Sequence, residues 1–112
     1  MATRELPKSE WQSYFDKISK QLKTTAQAEI EVASMNLGDQ IEAEWVAFYG
    51  ITYDPKDDLV EFVLEGLDHL IKQPSRIFVD ENDDGLCSVE IVDSEEIKHI
   101  ARFKEVLKLP AA

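Results

Sequence analysis

From residue 11 onward the apolar side chains Trp11, Tyr14, Phe15, Ile18 and Leu22 recur at helical intervals, lining one stripe of a helix with about 3.6 residues per turn. Ser9 followed by Gln12 has the spacing of a capping box, in which hydroxyl and amide satisfy backbone donors at a helix start. Lys17, Lys20 and Lys23 fall late in the stretch, where they oppose the negative end of the helix dipole. The pattern predicts a helix over about 9–24 whose large aromatics need a cover.

The period then drops to two. Ala28, Ile30 and Val32 alternate with Glu29 and Glu31. Ile41, Ala43, Trp45, Ala47, Tyr49 and Ile51 alternate in the same way with Glu42 and Glu44. Both segments read as half-buried strands with acidic outer faces, joined by the turn residues NLGDQ, and Gly50 sits where a bulge or bend would interrupt the second. The turn DPKDD leads to a strand, LVEFVLEG, and the further strands SRIFVDE and LCSVEIV flank DENDDG. In LDHLIKQP, Leu67, Leu70 and Ile71 have the spacing of one helical turn that Pro74 would end, so this stretch reads as a bend or short helical turn entering the next strand. The C-terminal segment fits two patterns. Asp93 with Glu96, then Ile97, Ile100, Phe103 and Leu107, suits a capped helix. Ile97, His99, Ala101 and Phe103 suit a strand after a turn at residues 94–96.

The stretches RELPKSEWQSYFD, GITYDPKDDLVEFVLEGLDHLIKQPSRIFVDE and SVEIVDSEEIKHIARF followed by LP resemble a family of short bacterial proteins catalogued only as a domain of unknown function. The resemblance runs over nearly the whole chain and is most specific from GITYDPKDD to LDHLIKQP. In such relatives the segment matching DSEEI is an aspartate and glycine turn between two strands, which implies the hairpin here, although this chain has no glycine at that place. The family brings no established activity, cofactor or catalytic residue.

Together these patterns predict one α+β domain spanning residues 1–112. Its N-terminal helix would pack over a strongly bent antiparallel sheet of about five or six strands, from about 26 to 104. The preferred form is a small, partly open barrel of the SH3-like or Sm-like kind, with Glu29, Glu31, Glu42 and Glu44 outside; the runner-up is a sheet flanked by helices at both ends. A chain of 112 residues can bury roughly two-thirds of its extended surface in a single core. Its 44% hydrophobic and 31% charged residues are those of a folded domain, not a disordered one. No apolar run approaches the roughly 20 residues of a membrane-spanning helix, and the N-terminus lacks the apolar stretch of a secretory signal, so a cytoplasmic location is expected.

Charge narrows the partners. Residues 25–96 carry three basic and nineteen acidic side chains within a net charge of −11, flanked by mildly basic ends. Such a field repels nucleic acid and anionic membranes, and favours a basic protein, a polyamine or a cation.

The candidate chemistry is sparse. DENDDG offers Asp80, Asn82, Asp84 and Gly85 at the first, third, fifth and sixth places of a calcium loop, but Ile91 stands where the closing glutamate belongs and the flanks are β-patterned. A hairpin turn is the better reading. His69 and His99 are the two groups able to move protons near neutral pH, with His69 favoured; Asp68 beside it would point the other way on a strand. Cys87 has no second cysteine to pair with and reads as a small half-buried residue. Trp11 heads an aromatic stripe that either covers the sheet or docks a partner. Asp68, His69 and Trp11 are thus the candidate interaction residues, with no catalytic residue, metal or cofactor assigned. These features suggest a non-catalytic interaction or structural module whose partner is a protein or a second copy of the chain. The alternatives are an acidic inhibitor of a basic partner and a small enzyme using His69 with acidic neighbours.

Overall fold

The computed structural model describes residues 2–36 and 38–108; Leu37 of the predicted NLGDQ turn and the LP of the family resemblance lie outside them. Eight strands form one open antiparallel sheet: β1 (Ala2–Glu5), β2 (Gln27–Ser34), β3 (Gly38–Asp54), β4 (Leu59–Leu64), β5 (Leu67–Lys72), β6 (Pro74–Asn82), β7 (Gly85–Asp93) and β8 (Lys98–Leu107). Their order across the sheet is β1-β6-β7-β8-β2-β3-β4-β5, so β1 and β5 are its edges. A 3₁₀ turn (Lys8–Glu10) leads into α1 (Trp11–Lys20), the single α-helix among the described residues.

The sheet buries one face by folding over itself, and β3 makes this happen. Over 17 residues it pairs first with β2 and then with β4. Its ladder to β2 slips twice, between Ala28 and Ile30 and between Ile30 and Glu31, and its ladder to β4 slips between Phe48 and Gly50. Each slip is a bulge that bends and twists the strand. The resulting curl is large: in a flat sheet β5 and β8, four ladder steps apart at about 4.8 Å each, would be about 19 Å apart, yet His69 of β5 hydrogen-bonds His99 of β8.

Inside the fold, Ile30, Phe48, Ile51, Phe62, Ile71, Ile77, Val79, Val89, Ile91 and Phe103 form a continuous core that α1 closes with Trp11, Phe15 and Ile18. Trp11 meets Tyr53 edge to face at 5.1 Å and donates its indole N–H to the Leu6 carbonyl at 2.9 Å. Ser19 fastens the other end of the helix, its Oγ accepting from the Ile51 amide at 3.0 Å and donating to the Ile51 carbonyl at 2.6 Å. Tyr14 donates to Glu81 at 2.5 Å, and Arg4 of β1 bonds the same carboxylate at 3.0 Å, so one glutamate ties helix, β1 and β6 together.

Several expectations change. The sheet is open and has eight strands, not about five or six. The helix is shorter than 9–24, and the Ser9 capping box does not form: Ser9 lies in the 3₁₀ turn, Glu10 is the helix cap, and neither cap uses a side chain. In LDHLIKQP, Leu67–Lys72 form a strand and only Gln73 (φ +53°) bends before β6, because the turn of Glu65 and Gly66 (φ +75°) closes a β4–β5 hairpin and points Leu67, His69 and Ile71 to one side. The C-terminal segment keeps the hairpin that the family resemblance implies, with β8 antiparallel to β7. Glu96, at φ +64°, takes the left-handed place that glycine would fill. The inward series of Ile41, Trp45 and Tyr49 is reversed. The β3 bulges shift the strand's phase and leave these residues 51%, 38% and 57% exposed.

Truncating the helix's fully buried ring should be severe: Phe15→Ala is expected to lower unfolding stability by about 3–5 kcal/mol, read from urea denaturation.

Candidate functional site

Asp93 is the last residue of β7 and organises the turn that follows. Its Oδ1 accepts the backbone amides of Glu95 at 2.8 Å and Ile97 at 3.1 Å, while Oδ2 lies 3.0 Å from His99 Nε2. A carboxylate only accepts, so His99 Nε2 carries the proton. The Nδ1 of a neutral His99 then accepts, and His69 Nε2–H donates to it at 2.9 Å. The result is a directed chain, Asp93 to His99 to His69, whose outer end is the lone pair on His69 Nδ1. A second proton on His99 would reverse the second bond. Then His99 Nδ1–H donates, and His69 offers Nδ1–H outward.

Strand register creates this chain. His69 pairs with Phe62, and His99 lies beside Ile91, so both imidazoles are on the core side of the curled sheet. Burial, together with the charge His99 can carry, pulls His69 down to about 4. Burial pushes Asp93 up, but the His99 hydrogen bond and the Ile97 and Glu95 amides outweigh it and hold the carboxyl below its usual range. Both groups therefore resist protonation in the folded chain. The arrangement straps β5 to β8 and makes His69 a weak base at neutral pH.

Asp68 does not join it. As adjacent strand residues require, Asp68 points outward while His69 points in. Beside the edge of β5 runs an open groove lined by Leu70, Lys72, Gln73, Ser94 and Glu95. Trp11 is 2% exposed, so its ring is not available to a partner.

In the DENDDG loop, Asn82 Oδ1 accepts the amides of Asp84 at 2.8 Å and Gly85 at 3.0 Å, capping a hairpin turn. Gly85 sits at φ +146° with the Leu107 carbonyl occupying the place a Cβ would take, so glycine is required there. Asp80 belongs to the outer sheet face beside Thr3 and Ser88, its buried Oδ1 unpartnered, and not to the loop. Among the described residues, no three His, Cys, Asp or Glu side chains gather to hold a metal ion. Burial first, then the charges of Asp80 and Asp84, raise the half-buried Cys87 thiol.

Alternation alone misses one surface. Trp45 has φ +49°, a left-handed backbone that is rare for a bulky residue, and this turns its ring to the outer face. Tyr49 and Ile41 lie along the same strand, with Glu42, Glu44 and Glu65 exposed nearby in sequence or pairing. Among the described residues these three glutamates make no ion pair. On the adjacent strand Glu29 and Glu31 share Arg102, at 3.3 and 2.6 Å. Asp39 is raised by its hydrogen bond to Glu31, a sign that negative charge is crowded on this face.

Residues 2–112 match a family of unknown function, DUF5335. The chain belongs to that family. It is 41% identical over 111 residues to an uncharacterized protein of Aquifex aeolicus (strain VF5), covering 98% of this chain and 99% of that relative. No solved structure matches.

The histidine strap has a pH signature. A histidine with a depressed folded pKa binds fewer protons folded than unfolded, so its neutral form favours folding above about 6.5 and that advantage is lost as pH falls toward about 4. Asp93, also depressed, adds loss in the same direction at lower pH. His69→Gln should flatten the stability profile between pH 6.5 and 4 by about 1–2 kcal/mol, a figure discounted for the solvent that reaches the half-buried ring. Denaturant unfolding at stepped pH measures it.

Proposed function

We propose that this chain is a non-catalytic interaction module that takes a basic segment of a partner protein on the outer face of β3. The single observation carrying this reading is Trp45: a bulge holds it in a disfavoured left-handed backbone with its ring turned outward, near Glu42, Glu44 and Glu65, which make no ion pair among the described residues. Backbone strain kept at an exposed aromatic is characteristic of recognition surfaces, and tryptophan, tyrosine and arginine dominate the energetics of such contacts. A net charge of −11 would draw a basic partner at long range and turn away phosphate backbones and anionic lipid.

In form we read the curled sheet as a partly open barrel of the SH3-like or Sm-like kind, enlarged by edge strands. No helix among the described residues is long and apolar enough to cross a membrane; we infer a cytoplasmic protein from the acidic composition. The Asp93–His99–His69 chain is read as a strap, because an imidazole drawn down to about 4 is a poor base at neutral pH.

The test is capture on the immobilised protein. A retained basic protein should elute as salt is raised, and each of Trp45→Gly and Tyr49→Ala should weaken it about 30-fold, taking about 2 kcal/mol per anchor, with the double variant weaker than either. Trp45 is 38% exposed, so its removal costs burial that relief of the left-handed backbone offsets only in part, and unfolding curves of the variants check that they remain folded. Retention that ignores both salt and the two substitutions would overturn the reading.

A further inference from the structure

The geometry points to β5 as a self-pairing edge through which two copies of this chain join their sheets, a surface separate from the outer face of β3. The β4–β5 hairpin has a two-residue turn closed by Leu64 and Leu67, and its ladder runs without slip to Leu59 and Lys72. In such a hairpin the closing pair is hydrogen-bonded and the bonded pairs alternate from there. The Gln73 amide donating to Asp58 at 2.8 Å marks the same alternation at the far end. Leu67, His69 and Ile71 therefore turn their backbone groups toward β4. Asp68, Leu70 and Lys72 turn theirs away, onto the open edge.

The same three residues have exposed side chains, Leu70 at 49%. Neither Asp68 nor Lys72 makes an ion pair among the described residues. Charged edge residues normally discourage strand addition. Here their order is self-complementary. An antiparallel pairing of two β5 strands about a twofold axis at Leu70 sets Leu70 against Leu70 and each Asp68 against the Lys72 of the other copy. The unpaired charges are neutralised in pairs and the exposed leucines cover each other. An open groove runs beside Leu70 and Lys72, closed at its far end where the Ser94 amide donates to the Gln73 carbonyl at 2.9 Å.

The opposite edge lacks this property. β1 is only four residues long, and its charges are already committed within the fold, Arg4 to Glu81 at 3.0 Å and Glu5 to Arg76 at 2.9 Å. A six-residue seam is short, so the dimer should be concentration-dependent.

Sedimentation velocity over a concentration series tests this with two charge variants. Asp68→Lys leaves only lysines facing each other across the seam, and Lys72→Asp leaves only aspartates, so each variant alone should be monomeric where the parent dimerises. Mixed one to one, the two should form a heterodimer, because every charged pair across the seam then joins a lysine to an aspartate. Both positions are exposed, and matched unfolding curves will confirm that the variants fold. Hydrogen exchange supplies a second reading: the amides of Asp68, Leu70 and Lys72 should become protected as the parent dimerises, while those of His69 and Ile71 are protected throughout. A parent that stays monomeric, single variants that still dimerise, or a mixture that does not associate would each overturn the proposal.

Discussion

A sheet with one apolar face must cover it, and a ten-residue helix is too small to cover eight strands. The sheet therefore covers much of itself, and the extra residues in β3 allow it to do so. Each bulge adds twist where the strand leaves one neighbour for the next, until β5 comes back over β8. The helix then fills what remains open, with Phe15 as its deepest side chain and Ser19 as its fastening. The histidine strap, the outward tryptophan and the free β5 edge all follow from the same folding-over. They are, in turn, where the sheet meets itself, what the bulge expels, and what the curl leaves unpaired.

Local rules read much of this from the chain. The helical stripe placed Trp11, Phe15 and Ile18 correctly in the core, and period-two alternation found β2, β4, β6 and β7. Gly50 marked a real slip in the ladder. What the alternation could not carry was its own phase. A bulge inserts one residue and flips every side chain after it, so Trp45 and Tyr49 looked inward on paper and point outward in the fold. β5 was misread because Leu67, Leu70 and Ile71 fit a helical turn as well as a strand, and only the two-residue turn before it decides between them.

The candidate site was legible only in part. His69 stood out for its chemistry, but its partner is thirty positions away, on a strand paired four ladder steps off. Nothing local encodes that meeting. Asp93 looked like a helix cap and does cap backbone amides, though those of a hairpin turn. Glu96 occupies a left-handed position that glycine would normally mark, and without that marker the residues alone fit a helix and a hairpin equally, leaving the family resemblance to favour the hairpin.

The strand order also bears on how the molecule assembles. β2 lies between β3, its neighbour in sequence, and β8, whose Phe103 sits opposite Ala28. The β2–β3–β4–β5 meander can zip from short-range turns, but its other border has no mate until the final strand has been synthesised. Topologies dominated by such distant pairings fold slowly, on millisecond to second timescales. Closure of that border joins positions as far apart as Ala28 and Phe103, so the greasy side of the meander stays uncovered until contacts across most of the domain have formed.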